Sequence, residues 1–163
     1  MMNRLLLSIS VAMVALLSVA APAHAQTAQT NASPLVPRGD VFAGVAFWNE
    51  DGMTLTGFHF TGTWRAGKHV GIVGDVATYG DYSSVMGGVR AQGSGRHSMF
   101  VQVLAGKGPL DDFAIQPGLG VDVRLSRRAA VRAGFDVKIA GDEGGIFIGT
   151  RFSVGLVFLL GQK

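Results

Sequence analysis

GVDVRLSRRAAVRAGFDVKI, residues 120–139, alternates strictly on both sides of a three-residue break. Before Ser126-Arg127-Arg128, the residues Val121, Val123 and Leu125 share one face. After it, Ala129, Val131, Ala133, Phe135, Val137 and Ile139 do the same. The opposite face carries Gly120, Asp122 and Arg124, then Ala130, Arg132, Gly134, Asp136 and Lys138. A period of two is the signature of an extended strand, in which successive side chains point to opposite sides. Strands joined by so short a break pair antiparallel, and the break leads from odd-numbered Leu125 to odd-numbered Ala129, so the apolar face stays on one side. A turn at 126–128 sets Leu125 opposite Ala129, Gly120 opposite Gly134 and Asp122 opposite Arg132. The last pairing predicts a cross-strand ion pair, which Asp136 and Arg151 extend over the next strand boundary.

The same pattern recurs along the chain. Strand-like segments fall near 41–48, 54–65, 69–79, 83–91, 98–107, 113–125, 129–139 and 146–160, separated by short breaks bearing Gly, Asp or Arg. None of these breaks can hold a crossover, so the order is up-and-down. The expected fold class is all-β: an eight-stranded antiparallel up-and-down transmembrane β-barrel, with a two-sheet sandwich as the other way to arrange eight such strands. Pro117 lies on the apolar face of the sixth segment and cannot donate to a ladder, which predicts a local bulge or an unpaired position.

Alternation does not say which face is inside. Three features favour an apolar face turned to lipid. The charged face mixes charge with glycine, as in Gly118, Gly120 and Asp122 or Arg132, Gly134 and Asp136; glycine weakens a solvated strand but suits the tight interior of a narrow barrel. The other face is nearly free of polar groups, and several segments reach the ~9–11 residues that cross a bilayer when tilted. Aromatic residues gather at segment ends, predicting two interfacial girdles made by Trp48, Tyr79, Tyr82 and Phe113 at one end and Trp64 at the other. The lumen is then expected to hold a polar network of Asp75, Arg90, Asp122, Arg132, Asp136, Lys138 and Arg151.

Charge in the breaks sorts by end. The odd-numbered breaks carry Glu50, Asp51, Asp81, Asp111, Asp112, Asp142 and Glu143, and the even-numbered ones Arg65, Lys68, Arg96, Arg127 and Arg128. Alternate breaks of an up-and-down barrel lie at opposite ends, so one rim is acidic and the other basic. Lys107 alone borders the acidic end against the trend.

The N-terminus reads as a secretory signal peptide over residues 1–25: MMNR is a short positive region, LLLSISVAMVALLSVA an apolar core, and Ala23-His24-Ala25 a small-x-small cleavage site. Residues 26–39 read as a flexible lead-in, and 40–163 as the barrel. Within the lead-in, the sequon Asn31-Ala32-Ser33 and the protease-like site Leu35 to Gly39 read as chance matches. The chain has no cysteine, which excludes lipidation at Cys, disulfides and thiolate metal sites. Its charged fraction of 15% lies below the ~25% of soluble domains, and its 24 glycines stand well above average usage. The formal charge of +3 falls to +2 once Arg4 leaves with the signal peptide, and the excess sits in turns, so nucleic-acid binding has no support.

Phe113 to Lys138, especially Gly118-Leu119-Gly120-Val121-Asp122-Val123 followed by Ser126-Arg127 and Val131-Arg132, resembles the OmpA-like or porin-like group of small bacterial outer-membrane β-barrel proteins. Arg151 to Phe158 resembles their closing strand. The resemblance implies location in the cell outer membrane after export, contact with outer-membrane lipid, insertion by the barrel-assembly machinery and a monomer. Such proteins commonly finish on an aromatic residue, whereas this sequence ends Leu159-Leu160-Gly161-Gln162-Lys163 with Phe158 the nearest candidate.

An integral barrel with a structural or envelope-maintenance role, without cofactor or enzymatic activity, is the leading expectation; eight strands leave an interior just wide enough to be filled by side chains, which argues against a general diffusion pore. The alternatives are a soluble periplasmic ligand-binding barrel with its apolar face inward, a small-solute channel, and a lipid A-modifying enzyme. The last would need His and Ser with an acidic partner. The available histidines are His59, His69 and His97, and His97-Ser98 alternates to opposite faces. Weak Ca²⁺ binding at the acidic rim is also chemically open, although aspartate-rich turns are ordinary.

Overall fold

A computed structural model describes residues 37–50, 52–109, 113–142 and 145–161. The signal peptide, most of the lead-in, and Asp51, Asp111, Asp112 and Glu143 lie outside the described residues. The strands are β1 (Gly39–Glu50), β2 (Met53–Arg65), β3 (Val70–Tyr79), β4 (Tyr82–Gln92), β5 (His97–Lys107), β6 (Phe113–Arg124), β7 (Ala129–Asp142) and β8 (Gly145–Leu160). Each pairs antiparallel with its neighbours in sequence, and β8 closes on β1, giving an up-and-down barrel without a free edge.

The register of β6 and β7 is the one set by the 126–128 turn, with Gly120 opposite Gly134 and Asp122 opposite Arg132. Leu125 N donates to Ala129 O at 3.0 Å, and Ser126 Oγ accepts from the backbone N–H groups of Arg128 and Ala129, so the serine closes the turn with its own side chain. At the other end, Tyr79 pairs with Tyr82 across a two-residue turn, where Gly80 takes the positive φ of 64° that tight hairpins require. Pairing of β6 with β7 stops at Gln116 and Pro117 and resumes in the same register, so the proline costs ladder contacts without inserting a bulge.

The hydrophobic residues point out. Val41, Phe58, Phe60, Ile72, Val89, Met99, Val103, Leu119, Phe135, Phe152 and Leu156 are among those left exposed, while Asp, Arg, Gln and Ser fill the interior. Smaller apolar clusters share the interior: Phe42, Ala130, Val157 and Leu159 toward the basic end, and Val73, Met86, Leu104, Ala114 and Ala140 toward the acidic end.

Glycines divide by face in a way that explains their number. A Cβ at inward Gly120 would collide with the Phe100 ring and the Ala133 carbonyl, and one at Gly155 would meet the backbone of Ala43 and Gly44. Outward Gly62, Gly74 and Gly87 form a row across β2, β3 and β4, and a Cβ at Gly62 or Gly74 would meet nothing. Gly120→Ala is therefore expected to destabilise the barrel by about 1–3 kcal/mol through overpacking. Gly74→Ala should change stability by less than about 1 kcal/mol. Urea unfolding of both variants in detergent micelles checks the contrast, and equal losses would contradict it.

Candidate functional site: the lumen network

Among the described residues, the buried charged groups are Asp40, Glu50, Asp75, Asp122 and Asp136, set against Arg90, Arg132, Lys138, Arg151 and His59. Five carboxylates thus face four permanent cations and one histidine. Isolated buried charge is costly, and near-balance with close pairing is what makes such an interior tolerable.

The pairs form two groups. Toward the basic end, Arg132 grips Asp122 through Nε at 2.7 Å and Nη2 at 2.8 Å, and reaches Asp40 at 3.0 Å. Gln92 Nε2 donates to Asp122 at 2.7 Å and its Oε1 accepts from Arg65 at 2.8 Å, which carries the network to the rim. Arg90 lies 3.7 Å from Asp40 and donates to Thr63 and, through Nε and Nη2, to Gln102. Gln102 Nε2 then donates to Asp136 at 2.8 Å and joins this group to the next.

At mid-barrel, Arg151 donates from Nε to Asp136 and from both terminal nitrogens to Asp75, each at 2.9 Å. Asp75 Oδ2 also accepts from His59 Nε2 at 2.7 Å; a carboxylate can only accept, so His59 carries its proton on that nitrogen. A third, smaller cluster closes the acidic end, where Lys138 Nζ lies 3.2 Å from Glu50 Oε2 and Trp48 Nε1 donates to the same oxygen at 3.1 Å. Aromatic rings separate like charges: Phe100 lies beneath both Arg90, at 4.4 Å, and Arg132, at 5.0 Å.

Asp75, Arg90, Asp122, Arg132, Asp136, Lys138 and Arg151, the residues expected in the lumen, are all buried there. The expected network omits Asp40, Glu50 and Gln92, and it omits Gln102 and His59 although their parity already puts both on the charged face. Charge counting puts Glu50 in an acidic break, but it ends β1 on the inward face. The signal was present in the unbroken apolar odd face of β1, Val41-Ala43-Val45-Phe47, which turns Asp40 and Glu50 inward. Phe42 and Trp48 on the even face masked it.

The girdle assignment needs correction. Trp64 and Phe113 do face outward, at 67% and 69% exposure, near opposite ends. Trp48 and Tyr79 instead point into the lumen at 2% each, packed at a centroid distance of 6.0 Å. Tyr82 has the inward parity of Ser84 and Met86 and sits at the barrel mouth, 40% exposed. Closeness to a strand end had suggested the interface, but parity decides the face: even positions of β1 and odd positions of β3 look inward.

Arg90, Lys138 and Arg151, with Trp48 and Tyr79, are among the most completely buried side chains, so the interior is packed with groups that cannot easily leave. The arrangement is suited to locking strands together.

No family model and no curated protein sequence matches the chain. Among solved structures, it resembles Ail, the attachment invasion locus protein of Yersinia pestis, with a TM-score of 0.51 and 14% identity over 75% of this chain and 97% of that one. Neisserial surface protein A gives the same TM-score and identity, with the same coverage. A de novo designed transmembrane β-barrel gives a TM-score of 0.53 at 12% identity, over 77% of this chain and 98% of that one. At these identities the likeness is one of fold: a closed eight-stranded antiparallel barrel shared with small outer-membrane proteins.

Proposed function

We propose that this chain is an integral outer-membrane barrel with a structural or envelope-maintenance role, exported through a cleaved signal peptide and impermeable through its lumen. The observation that carries the reading is the inverted distribution of polarity, with an exposed apolar belt around an ion-paired interior. Its outward row of Val, Phe, Ile and Leu is stable beside acyl chains and costly beside water. The likeness in fold to Ail and Neisserial surface protein A supports the same location.

A soluble ligand-binding barrel would turn its apolar face inward, whereas here the long apolar face is outward and the interior holds an ion-paired network beside smaller apolar clusters. A lipid-modifying enzyme finds no support in the histidines: His59 is enclosed by Asp75 and the Phe42 ring, and buried Ser98 lies on the face opposite exposed His97. In planar bilayers the refolded protein is expected to give no conductance steps. Regular steps would contradict the closed lumen and favour a channel.

Orientation follows from export, since a chain entering from the periplasm places its first turn outside. Asp81→Cys should react with an impermeant thiol reagent on intact cells and Arg128→Cys should not. The background is clean because the chain has no cysteine. Labelling at position 128 alone would reverse the topology.

A further inference from the structure

The basic rim has a geometry that the lumen does not require. Arg38, Arg96 and Arg128 each stand at a strand margin, and each lends its carbonyl to the barrel ladder: Arg38 O accepts from Arg65 N at 2.9 Å, Arg96 O from Arg124 N at 2.9 Å, and Arg128 O from Leu159 N at 3.0 Å. Their backbones are therefore held at the end of the ladder while the residues are exposed. Lys68 adds an exposed cation in the turn between β2 and β3. Among the described residues at this end, the carboxylates are Asp40 and Asp122, both buried and both bound to Arg132. Among the described residues, no exposed carboxylate at this end offsets the ring. Directly beside it on the outer surface stand Trp64 and Leu125, both exposed.

We propose that this rim is a docking surface for the phosphate headgroups of anionic phospholipids in the leaflet it meets. The inference rests on the membrane reading and adds a partner to it. Charge complementarity argues for an anionic partner, and continuity with the apolar belt argues for a lipid. A lipid on one flank can place its acyl chains against Trp64, and one on the opposite flank against Leu125, each with its phosphate against the nearest cations of the rim, whereas a soluble polyanion would use only the charged half of this surface. A tryptophan below a cationic ring is the arrangement that fits the headgroup boundary. The opposite end carries exposed Asp81 and would be repelled by the same headgroups, so the interaction also orients the barrel.

The test refolds the full chain into phosphatidylcholine vesicles, and into vesicles of the same acyl chains with a third of the lipid replaced by phosphatidylglycerol. Urea unfolding is followed in both. The expected result is a folding equilibrium favoured by phosphatidylglycerol at low salt, with the gain removed by high salt. Each surface cation contributes roughly five-fold, so Lys68→Gln combined with Arg96→Gln and Arg128→Gln should reduce the gain by about a hundred-fold. The triple variant should fold as well as the parent in phosphatidylcholine, since none of these side chains enters the lumen network. No gain for the parent, or a full gain in the triple variant, would overturn the proposal. So would an equal gain from sodium polyphosphate added to phosphatidylcholine vesicles. Failure of the parent to insert into either vesicle would instead overturn the membrane reading itself.

Discussion

Arg151→Gln is expected to destabilise the barrel by about 3–5 kcal/mol, enough to unfold much of a marginally stable protein. Arg151 is fully buried and donates to two carboxylates, Asp75 and Asp136, on two different strands. Glutamine is shorter and uncharged, so both carboxylates would remain buried with their main cation gone. His59 still contacts Asp75, and Gln102 still contacts Asp136, yet neither supplies a permanent charge. Lys68→Gln, in the exposed turn between β2 and β3, is the control and should shift stability by no more than about 0.5 kcal/mol. Urea unfolding in detergent micelles measures both. A loss below about 1 kcal/mol for Arg151→Gln would mean that water reaches these carboxylates and that the lumen is not closed.

Asp122 and Arg132 should behave as a coupled unit. Asp122→Asn strands a guanidinium that retains only Asp40 as a charged partner, and Arg132→Gln strands Asp122 and leaves Asp40 with only the longer 3.7 Å contact to Arg90. Each single change is expected to cost about 3–5 kcal/mol. The double variant should cost less than their sum by about 0.5–3 kcal/mol, because the second change removes a charge that the first had already left unpaired. A double-mutant cycle by urea unfolding gives the coupling directly. Mild, additive effects would describe a solvated polar face and would contradict a buried network.

This pair was legible in the sequence because the turn between β6 and β7 is only three residues long. With Ser126-Arg127-Arg128 as the connection, parity and register follow by counting, and the Asp136–Arg151 contact follows from the next pairing. The eight strands were equally accessible, with ends displaced by at most three residues, since alternation persists through each segment. The inward crowding of glycine was also readable, because small residues recurred beside charged ones.

Other contacts could not be counted from neighbouring turns. Arg132 reaches Asp40, and Arg151 reaches Asp75, across the barrel between strands that are not adjacent. Their meeting depends on closure and on the tilt of the sheet, which no local pattern encodes. Gln92 and Gln102 join the clusters as neutral links, a role that charge counting overlooks. Trp48 and Tyr79 were misplaced because an aromatic residue at a strand end serves the interface or the barrel mouth, and only the face it occupies distinguishes them.

The central claim is that the apolar face of this barrel meets lipid. Expression of the full chain in a Gram-negative host, followed by membrane isolation and an alkaline carbonate wash, tests it most directly. The protein should stay in the outer-membrane pellet, and the unheated detergent-solubilised form should migrate differently from the boiled one, as a closed barrel resists unfolding. Recovery of folded protein in the soluble periplasmic fraction, without detergent, would contradict the claim.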